Sequence, residues 1–308
     1  MLRLPVLLLL VALAGCGADV GIPLTPPEAA VVPAKAAATP SPTSTPRPTA
    51  PALPAPDAPL PRSANGLAGD LAATTAQLRG EIETWTRDGD PARGAPPQSV
   101  TLLALHHQRI YRRLAGDRAL SARVLGRLPA SVLGEARDTL AARRALAAIP
   151  PSGSLRPKIR AAAPAPAGRL REHYERAQRR FGVPWQLLAA VNFVETGFGR
   201  LRNESTAGAR GPMQFIPATW DAYGLGGDVS DPRDAILGAA NYLHASGSPG
   251  DDRQAVFAYN HSRHYVSAVL RYAARIRSDP RAFYAYYAWQ VYVRTPGGVR
   301  RITGPGRE

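Results

Sequence analysis

A long tract near the start of the chain contains almost no side chains that could enter a hydrophobic core. From Gly17 to about Arg62 the sequence consists mainly of Ala, Pro, Thr and Ser, as in AAATPSPTSTPRPTAPALPAPDAPLP. Such a tract buries too little apolar surface to fold, and its prolines favour an extended polyproline II conformation. We therefore predict a disordered tether within residues 16–62 and place the folded part of the chain beyond it.

The tether is preceded by a segment with the pattern of an export signal. The sequence MLRLPVLLLLVALAGCG has one Arg, an apolar core from Leu4 to Leu13 and small residues before Cys16. This core is too short to span a membrane as a mature helix and is typical of a secretory signal. The last four residues before Gly17 resemble a bacterial lipobox, which implies a signal peptide at 1–15, an acylated Cys16 and a lipid anchor in a membrane. The alternative is an ordinary signal peptide with an incidental Cys.

The charge and the cysteine content restrict the partners and the compartment. The formal charge is +15, and Lys35 and Lys158 are the only lysines, so arginine supplies almost all of it. The arginines are scattered and no nucleic-acid motif accompanies them, so we predict no nucleic-acid partner. Cys16 is the only cysteine, which excludes a disulfide within the chain. An anionic cell envelope is the partner that agrees with the export signal.

Beyond the tether, helical spacing begins. Apolar residues recur at separations of three, four and seven, which predicts helices and a helical accessory region at 63–150; the first such set is Leu67, Leu71, Leu78, Ile82 and Trp85. His106 and His107 lie in this region without a carboxylate or Cys nearby in the sequence, so we interpret them as structural or surface residues. A second Pro/Ala-rich stretch predicts a linker at 151–168.

The segment that follows places a carboxylate at the end of an apolar helix. Gly182 is predicted to end one helix, Pro184 to begin the next, and Gly197 to supply a left-handed C-cap directly after Glu195. The negative end of the helix dipole and the apolar neighbours would both raise the pKa of Glu195, which suits a general acid. The alternative is a solvated Glu at a frayed helix end.

Three further motifs follow Glu195 in order. They are STAGARGPMQFIPATW from Ser205, AANYL from Ala239 and AYN from Ala258. Together with the Glu at a helix end, they resemble the lytic transglycosylase catalytic domain of the goose-type lysozyme superfamily. The resemblance implies a mainly α, lysozyme-like domain at 169–279 and a lyase that acts on peptidoglycan glycan strands.

The resemblance also implies roles for individual residues. Glu195 matches the sole catalytic acid/base, Ser205 a serine that orients the sugar, and Asn260 a cleft residue. Met213 and Gln214 match a pair that lines the cleft. The remaining matching positions are Thr196 after the Glu, the aromatic Tyr242, and Tyr259, which is expected near the catalytic carboxyl. This chain has Thr196 where the family often has Ser, and Pro212 where it often has Leu.

No cofactor or metal is predicted. The stretch from Gly226 to Asp231 lacks the calcium-loop pattern that some relatives carry after this region. His261 and His264 lack a third ligand in the sequence and are interpreted as surface or cleft-rim residues. The tail at 280–308 predicts an aromatic helix followed by a short hairpin.

Two other functions remain open at this point. A hydrolase of the same fold would use water and a second carboxylate, for which the candidates are Glu204, Asp221, Asp228 and Asp231. A wall-binding lipoprotein that has kept the fold would need no catalytic group.

Overall fold

The computed structural model describes residues 52–150, 159–295 and 298–306, which form eleven α-helices and a two-stranded hairpin. The predicted mainly α fold is therefore confirmed. The expected signal peptide, Cys16, most of the tether and much of the second linker lie outside the described residues. Within the described stretches, no helix has both the length and the apolar character needed to cross a membrane. The helices are α1 (Ala64–Asp88), α2 (Gln98–Gly116), α3 (Arg118–Leu125), α4 (Ala130–Ala147), α5 (Ala167–Phe181), α6 (Trp185–Thr196), α7 (Pro217–Tyr223), α8 (Pro232–Ala245), α9 (Asp252–Tyr259), α10 (Arg263–Ser278) and α11 (Arg281–Ala288).

The first four helices bury the apolar stripe that their spacing predicted. Ser63 caps α1, because its Oγ accepts a hydrogen bond of 3.0 Å from the backbone N–H of Gly66. Leu67, Leu71 and Ile82 of α1 are fully buried, where α1 packs against α2 and α3. Among the polar positions between them, Thr74 and Thr75 are buried as well, and the Thr75 hydroxyl donates to the Leu71 carbonyl at 2.6 Å.

The last residues of the predicted tether belong to the folded part. Arg109 of α2 donates a hydrogen bond of 2.7 Å to the backbone oxygen of Ala58, and Leu60 packs against the core. The boundary placed at residue 62 is therefore too late. Composition cannot reveal it, because the guanidinium that satisfies these carbonyls comes from a helix about fifty residues further on.

The two adjacent histidines of α2 are buried, and both have carboxylate partners from other helices. His106 Nε2 lies 2.9 Å from Asp70 of α1, and His107 Nε2 lies 3.3 Å from Glu135 of α4. The interpretation as structural residues agrees with this arrangement. The residues concerned are distant in sequence and are brought together only by the packing of α1, α2 and α4.

One continuous hydrophobic core joins the helices on both sides of the second linker. Helix α10 packs against both α4 and α6, and α11 packs against α1 and α2. The ring of Phe193 in α6 stacks on that of Tyr286 in α11, with centroids 5.3 Å apart. The region at 63–150 thus shares its hydrophobic core with the helices after the linker and does not form a separate domain.

The chain ends in the hairpin that its Pro-Gly-Gly turn predicted. Strands β1 (Tyr292–Thr295) and β2 (Gly298–Arg301) pair antiparallel. Just before β1, Gln290 is fixed to α2: its N–H donates to the Gln108 side chain at 2.9 Å, and its carbonyl accepts from that side chain at 2.7 Å. This reciprocal pair holds the tail beside α2.

Candidate active site

Two left-handed glycines determine where Glu195 lies. Gly182 ends α5 at φ 75, and Gly197 ends α6 at φ 60 and ψ 49, as the sequence predicted. Pro184 is the N-cap of α6 and not its first residue, a difference of one position that is common at helix ends. Glu195 therefore occupies the last turn of α6, with the chain turning away directly after it.

Glu195 is enclosed and holds its proton at neutral pH. Glu195 is 5% exposed, and its Oε1 accepts a hydrogen bond of 2.6 Å from the Tyr265 hydroxyl. Burial raises its pKa to about 8, against the hydrogen bond from Tyr265, which favours the ionised form. A carboxyl group in this state can act as a proton donor near pH 7.

Tyr265 is a site residue that the sequence motifs did not reveal. It lies in the first turn of α10, just after the N-cap residue Ser262, and it is fully buried. Its only signal in the sequence is a polar aromatic side chain soon after the AYN motif. That signal is weak, because an aromatic residue at a helix start usually serves the core.

Thr196 joins the end of α6 to the loop that carries Met213. Its hydroxyl donates to the Pro212 carbonyl at 2.7 Å and accepts from the N–H of Gly199 at 2.8 Å. The side chain is 1% exposed, so both hydrogen bonds are shielded from water. Pro212 lacks an N–H, but its carbonyl is the group that this contact needs.

Met213 and Gln214 lie at the tip of a tight loop. Arg210 and Phe215 close it by exchanging backbone hydrogen bonds of 2.8 Å. Gly211 has φ 72, and a Cβ at this position would collide with a backbone carbonyl oxygen of another loop. Gln214 has φ 52, and its amide nitrogen donates to the Gly211 carbonyl at 3.1 Å. That nitrogen is thus engaged within the loop.

Met213 connects this loop to the helix of Glu195. Its side chain is fully buried, and its sulfur lies 3.0 Å from the amide nitrogen of Asn192, one turn before Glu195. Its backbone carbonyl accepts a hydrogen bond of 2.6 Å from the Tyr259 hydroxyl. The Met213 side chain therefore packs in the core against α6 and does not lie on an open surface.

The two tyrosines of the later motifs contact each other. The rings of Tyr242 and Tyr259 have centroids 5.7 Å apart, and the Tyr242 hydroxyl donates to the Ala258 carbonyl at 2.9 Å. Burial raises the pKa of Tyr259, and the nearby Glu195 carboxyl adds to the rise. Tyr259 and Glu195 thus interact electrostatically.

Asn260 and Ser205 shape the segments that carry them. The Asn260 side-chain oxygen accepts from the N–H of Ser262 at 3.1 Å and so connects α9 to α10. The Ser205 hydroxyl accepts from the N–H groups of Ala207 and Ala209, at 3.2 and 3.0 Å. Both residues are buried, and both hold loops in place next to the motif residues.

The four candidates for a second carboxylate have other hydrogen-bond or ion-pair partners or are exposed to solvent. Glu204 pairs with Arg210 at 3.1 Å, Asp231 caps α8, Asp228 accepts from its own turn, and Asp221 is exposed. Among the described residues, no carboxylate contributes to the raised pKa of Glu195. In the same stretches, no group of three or more His, Cys, Asp or Glu residues could hold a metal ion.

Comparison with known proteins assigns the domain that contains this site. Residues 172–279 match the family model described as Transglycosylase SLT domain. A membrane-bound lytic murein transglycosylase F from Thiobacillus denitrificans is 33% identical over 122 residues, which cover 37% of this chain and 26% of that protein. No solved structure matches the chain. Residues 172–279 are therefore similar to transglycosylase SLT domains, and the resemblance to lytic transglycosylases is confirmed for this part of the chain.

Proposed function

We propose that the protein is a peptidoglycan lytic transglycosylase. It would cleave the β-1,4 bond between N-acetylmuramic acid and N-acetylglucosamine and leave a 1,6-anhydromuramic acid end. The observation that carries the proposal is the buried Glu195, whose pKa burial raises to about 8, at the end of α6 within the segment that matches the SLT domain. Because the aligned segment covers 26% of the relative, the activity of the whole chain is inferred from this site.

In the proposed mechanism Glu195 acts twice. It first donates its proton to the glycosidic oxygen while the neighbouring acetamido group of the substrate assists. As a carboxylate it then accepts the proton of the muramic C6 hydroxyl, whose oxygen attacks the anomeric carbon and closes the anhydro ring. The pKa of about 8 favours the first step, and the hydrogen bond from Tyr265 stabilises the carboxylate formed between the two steps.

The other matching positions are proposed to bind or shape the substrate cleft. We assign contact with the sugar to Ser205, Gln214 and Asn260, which match cleft residues of the family. The remaining assigned positions are Thr196, Met213, Tyr242 and Tyr259, which we expect to act through the packing that fixes α6 against the 210–215 loop.

The surroundings of Glu195 favour this reaction over hydrolysis with two carboxylates. Retaining glycosidases place a second carboxylate roughly 5 Å from the acid, and inverting ones place it roughly 6.5 to 9.5 Å away. A carboxylate at such a distance would raise the pKa of Glu195 further through like-charge repulsion. In the described part of the chain the shift comes from burial alone, which supports a single acid/base.

The proposed location is the cell envelope, with a lipid anchor at Cys16. The lipobox-like sequence supports the anchor, and the charge of +15 supports attraction to an anionic wall. Wall binding should therefore weaken as the salt concentration rises. Affinity for purified wall that is insensitive to ionic strength would contradict the electrostatic part of this proposal.

Digestion of purified peptidoglycan followed by mass spectrometry tests the reaction. We expect anhydromuropeptides from the native chain and none from Glu195→Gln. Glu204→Gln serves as the matched control, because Glu204 is an exposed carboxylate in the same domain and its loss should leave the products unchanged. Only reducing ends would favour the hydrolase, and no products from the native chain would favour a wall-binding lipoprotein.

A further inference from the structure

A pocket of about 100 Å³ lies between the end of α6 and the accessory helices. One side is formed by Glu195 and its neighbours in α6. The other sides are formed by Arg112 of α2, Arg143 of α4 and the tail residues Trp289 and Tyr292. These four residues lie outside 172–279, so the SLT domain alone would not form this pocket.

The two arginines at the pocket have aromatic neighbours but no acidic partner among the residues that the structure describes. The guanidinium of Arg112 lies 3.6 Å from the ring centroid of Tyr292, and that of Arg143 lies 5.3 Å from the ring centroid of Trp289. Arg143 is 6% exposed, and its Nε has no hydrogen-bond partner. In the described part of the chain neither guanidinium forms an ion pair with a carboxylate.

Two less buried arginines of this protein pair with carboxylates, whereas Arg200, which is 6% exposed like Arg143, lies over the ring of Tyr287 and donates to the Gly197 carbonyl. Arg79 lies 2.8 Å from Glu135, and Arg281 lies 2.8 Å from Asp279. A buried charge without a counter-ion is costly, because desolvation is not offset by attraction. Burial and the charge of Arg143 accordingly lower the pKa of Arg112 to about 9.

The carboxyl group nearest to the pocket does not supply the missing negative charge. Glu195 lines the pocket but is protonated at neutral pH. The pocket thus combines two guanidinium groups, an Arg143 Nε without a hydrogen-bond partner and aromatic walls beside the proposed catalytic acid. Guanidinium groups bind carboxylates through paired hydrogen bonds and stack on aromatic rings, so this arrangement suits a carboxylate.

We propose that Arg112 and Arg143 bind a carboxylate carried by the lactyl arm of muramic acid, next to the bond that Glu195 cleaves. This inference rests on the proposed function and adds a specificity determinant to it. The pocket is smaller than the clefts of roughly 300 to 1,000 Å³ that enclose whole ligands, so it admits a substituent of the glycan. The carboxylate comes either from the lactyl group of a stem-free sugar or from the attached peptide stem.

The first experiment measures binding in the absence of turnover. Glycan chains with intact stems, chains freed of stems by an amidase, and both preparations with carboxylates converted to methylamides are titrated into the full chain carrying Glu195→Gln. We expect at least about tenfold weaker binding of the methylamide form than of the carboxylate form. Strong binding of stem-free chains assigns the lactyl carboxylate, and binding only of stem-bearing chains assigns the stem.

Variants of the two arginines then locate the effect. Adding Arg112→Gln or Arg143→Gln should weaken binding of the carboxylate chains by about tenfold and leave binding of the methylamide chains unchanged. The matched controls are Arg113→Gln and Arg137→Gln, which remove exposed arginines from the same two helices and should change binding less than about twofold.

These binding measurements test carboxylate recognition by the pocket independently of the cleavage reaction. Equal binding of carboxylate and methylamide chains to the parent protein would overturn the pocket assignment, even if an arginine variant failed to fold. An equal loss for both kinds of chain in the arginine variants would overturn it as well. If the native chain releases no anhydromuropeptides, the proposed reaction fails, but this binding comparison still decides whether the pocket recognises a carboxylate.

Discussion

Replacing Glu195 by Gln should stabilise the fold at neutral pH, although it removes the proposed catalytic group. The folded protein holds the Glu195 proton up to a pKa of about 8, whereas the ordinary value is 4.5. Between these values unfolding releases a proton, so the stability of the native chain falls as the pH rises. Gln carries no charge at any pH, and its side-chain oxygen can still accept from Tyr265.

The size of the effect follows from the pKa difference. Each pH unit between the two pKa values costs the native chain about 1.4 kcal/mol. At pH 7, about 2.5 units above the unfolded value of 4.5, the free energy of unfolding of Glu195→Gln should exceed that of the native chain by about 3 kcal/mol. Below the unfolded pKa the carboxyl group is neutral in both states, so the two proteins should be equally stable there.

Urea unfolding followed by circular dichroism, at several pH values from about 4 to 9, measures this difference. Glu204→Gln is the control, because the Glu204 side chain is 53% exposed and its difference from the native chain should not increase with pH. If the Glu195→Gln difference stays constant across this range, Glu195 titrates normally and the argument from burial is wrong.

Three further substitutions test the contacts around this carboxyl. Tyr265→Phe removes a hydrogen bond that favours the ionised form, so the pKa of Glu195 should rise above about 8. The pH above which the stability difference between the proteins with and without Glu195→Gln stops growing should then increase. If this pH does not change, the contact with Tyr265 is contradicted. Thr196→Val leaves a buried carbonyl unpaired and should lower the free energy of unfolding by about 1 to 3 kcal/mol, whereas Thr196→Ser should recover most of it. Gly211→Ala should lower the melting temperature, because φ is 72 and a Cβ would overlap a backbone carbonyl; Gly80→Ala, at an open helix position, should not.

Local signals predicted the position of Glu195 well. Gly182 and Gly197 end their helices because no other residue enters the left-handed region as easily, and the apolar run between them indicated burial. Burial, which that run indicated, is the cause of the raised pKa of Glu195.

Contacts between distant segments could not be predicted. Tyr265 lies 70 positions after Glu195, and its hydroxyl reaches the carboxyl only because α10 packs on α6. The same holds for Asp70 and His106, whose pairing depends on how α1 meets α2. Composition likewise placed the end of the tether too late, since the contact of Arg109 with Ala58 depends on the fold.

The shared core of the two helical regions limits how this domain can be exchanged between proteins. Because α10 packs against α4 and Phe193 stacks on Tyr286, residues 172–279 do not form an independently folding domain in this chain. Grafted onto another protein, they would expose the apolar faces of α6 and α10. Recombination at the edges of the family segment should therefore yield insoluble products, and a soluble minimal fragment should extend from before Ser63 to the end of the hairpin.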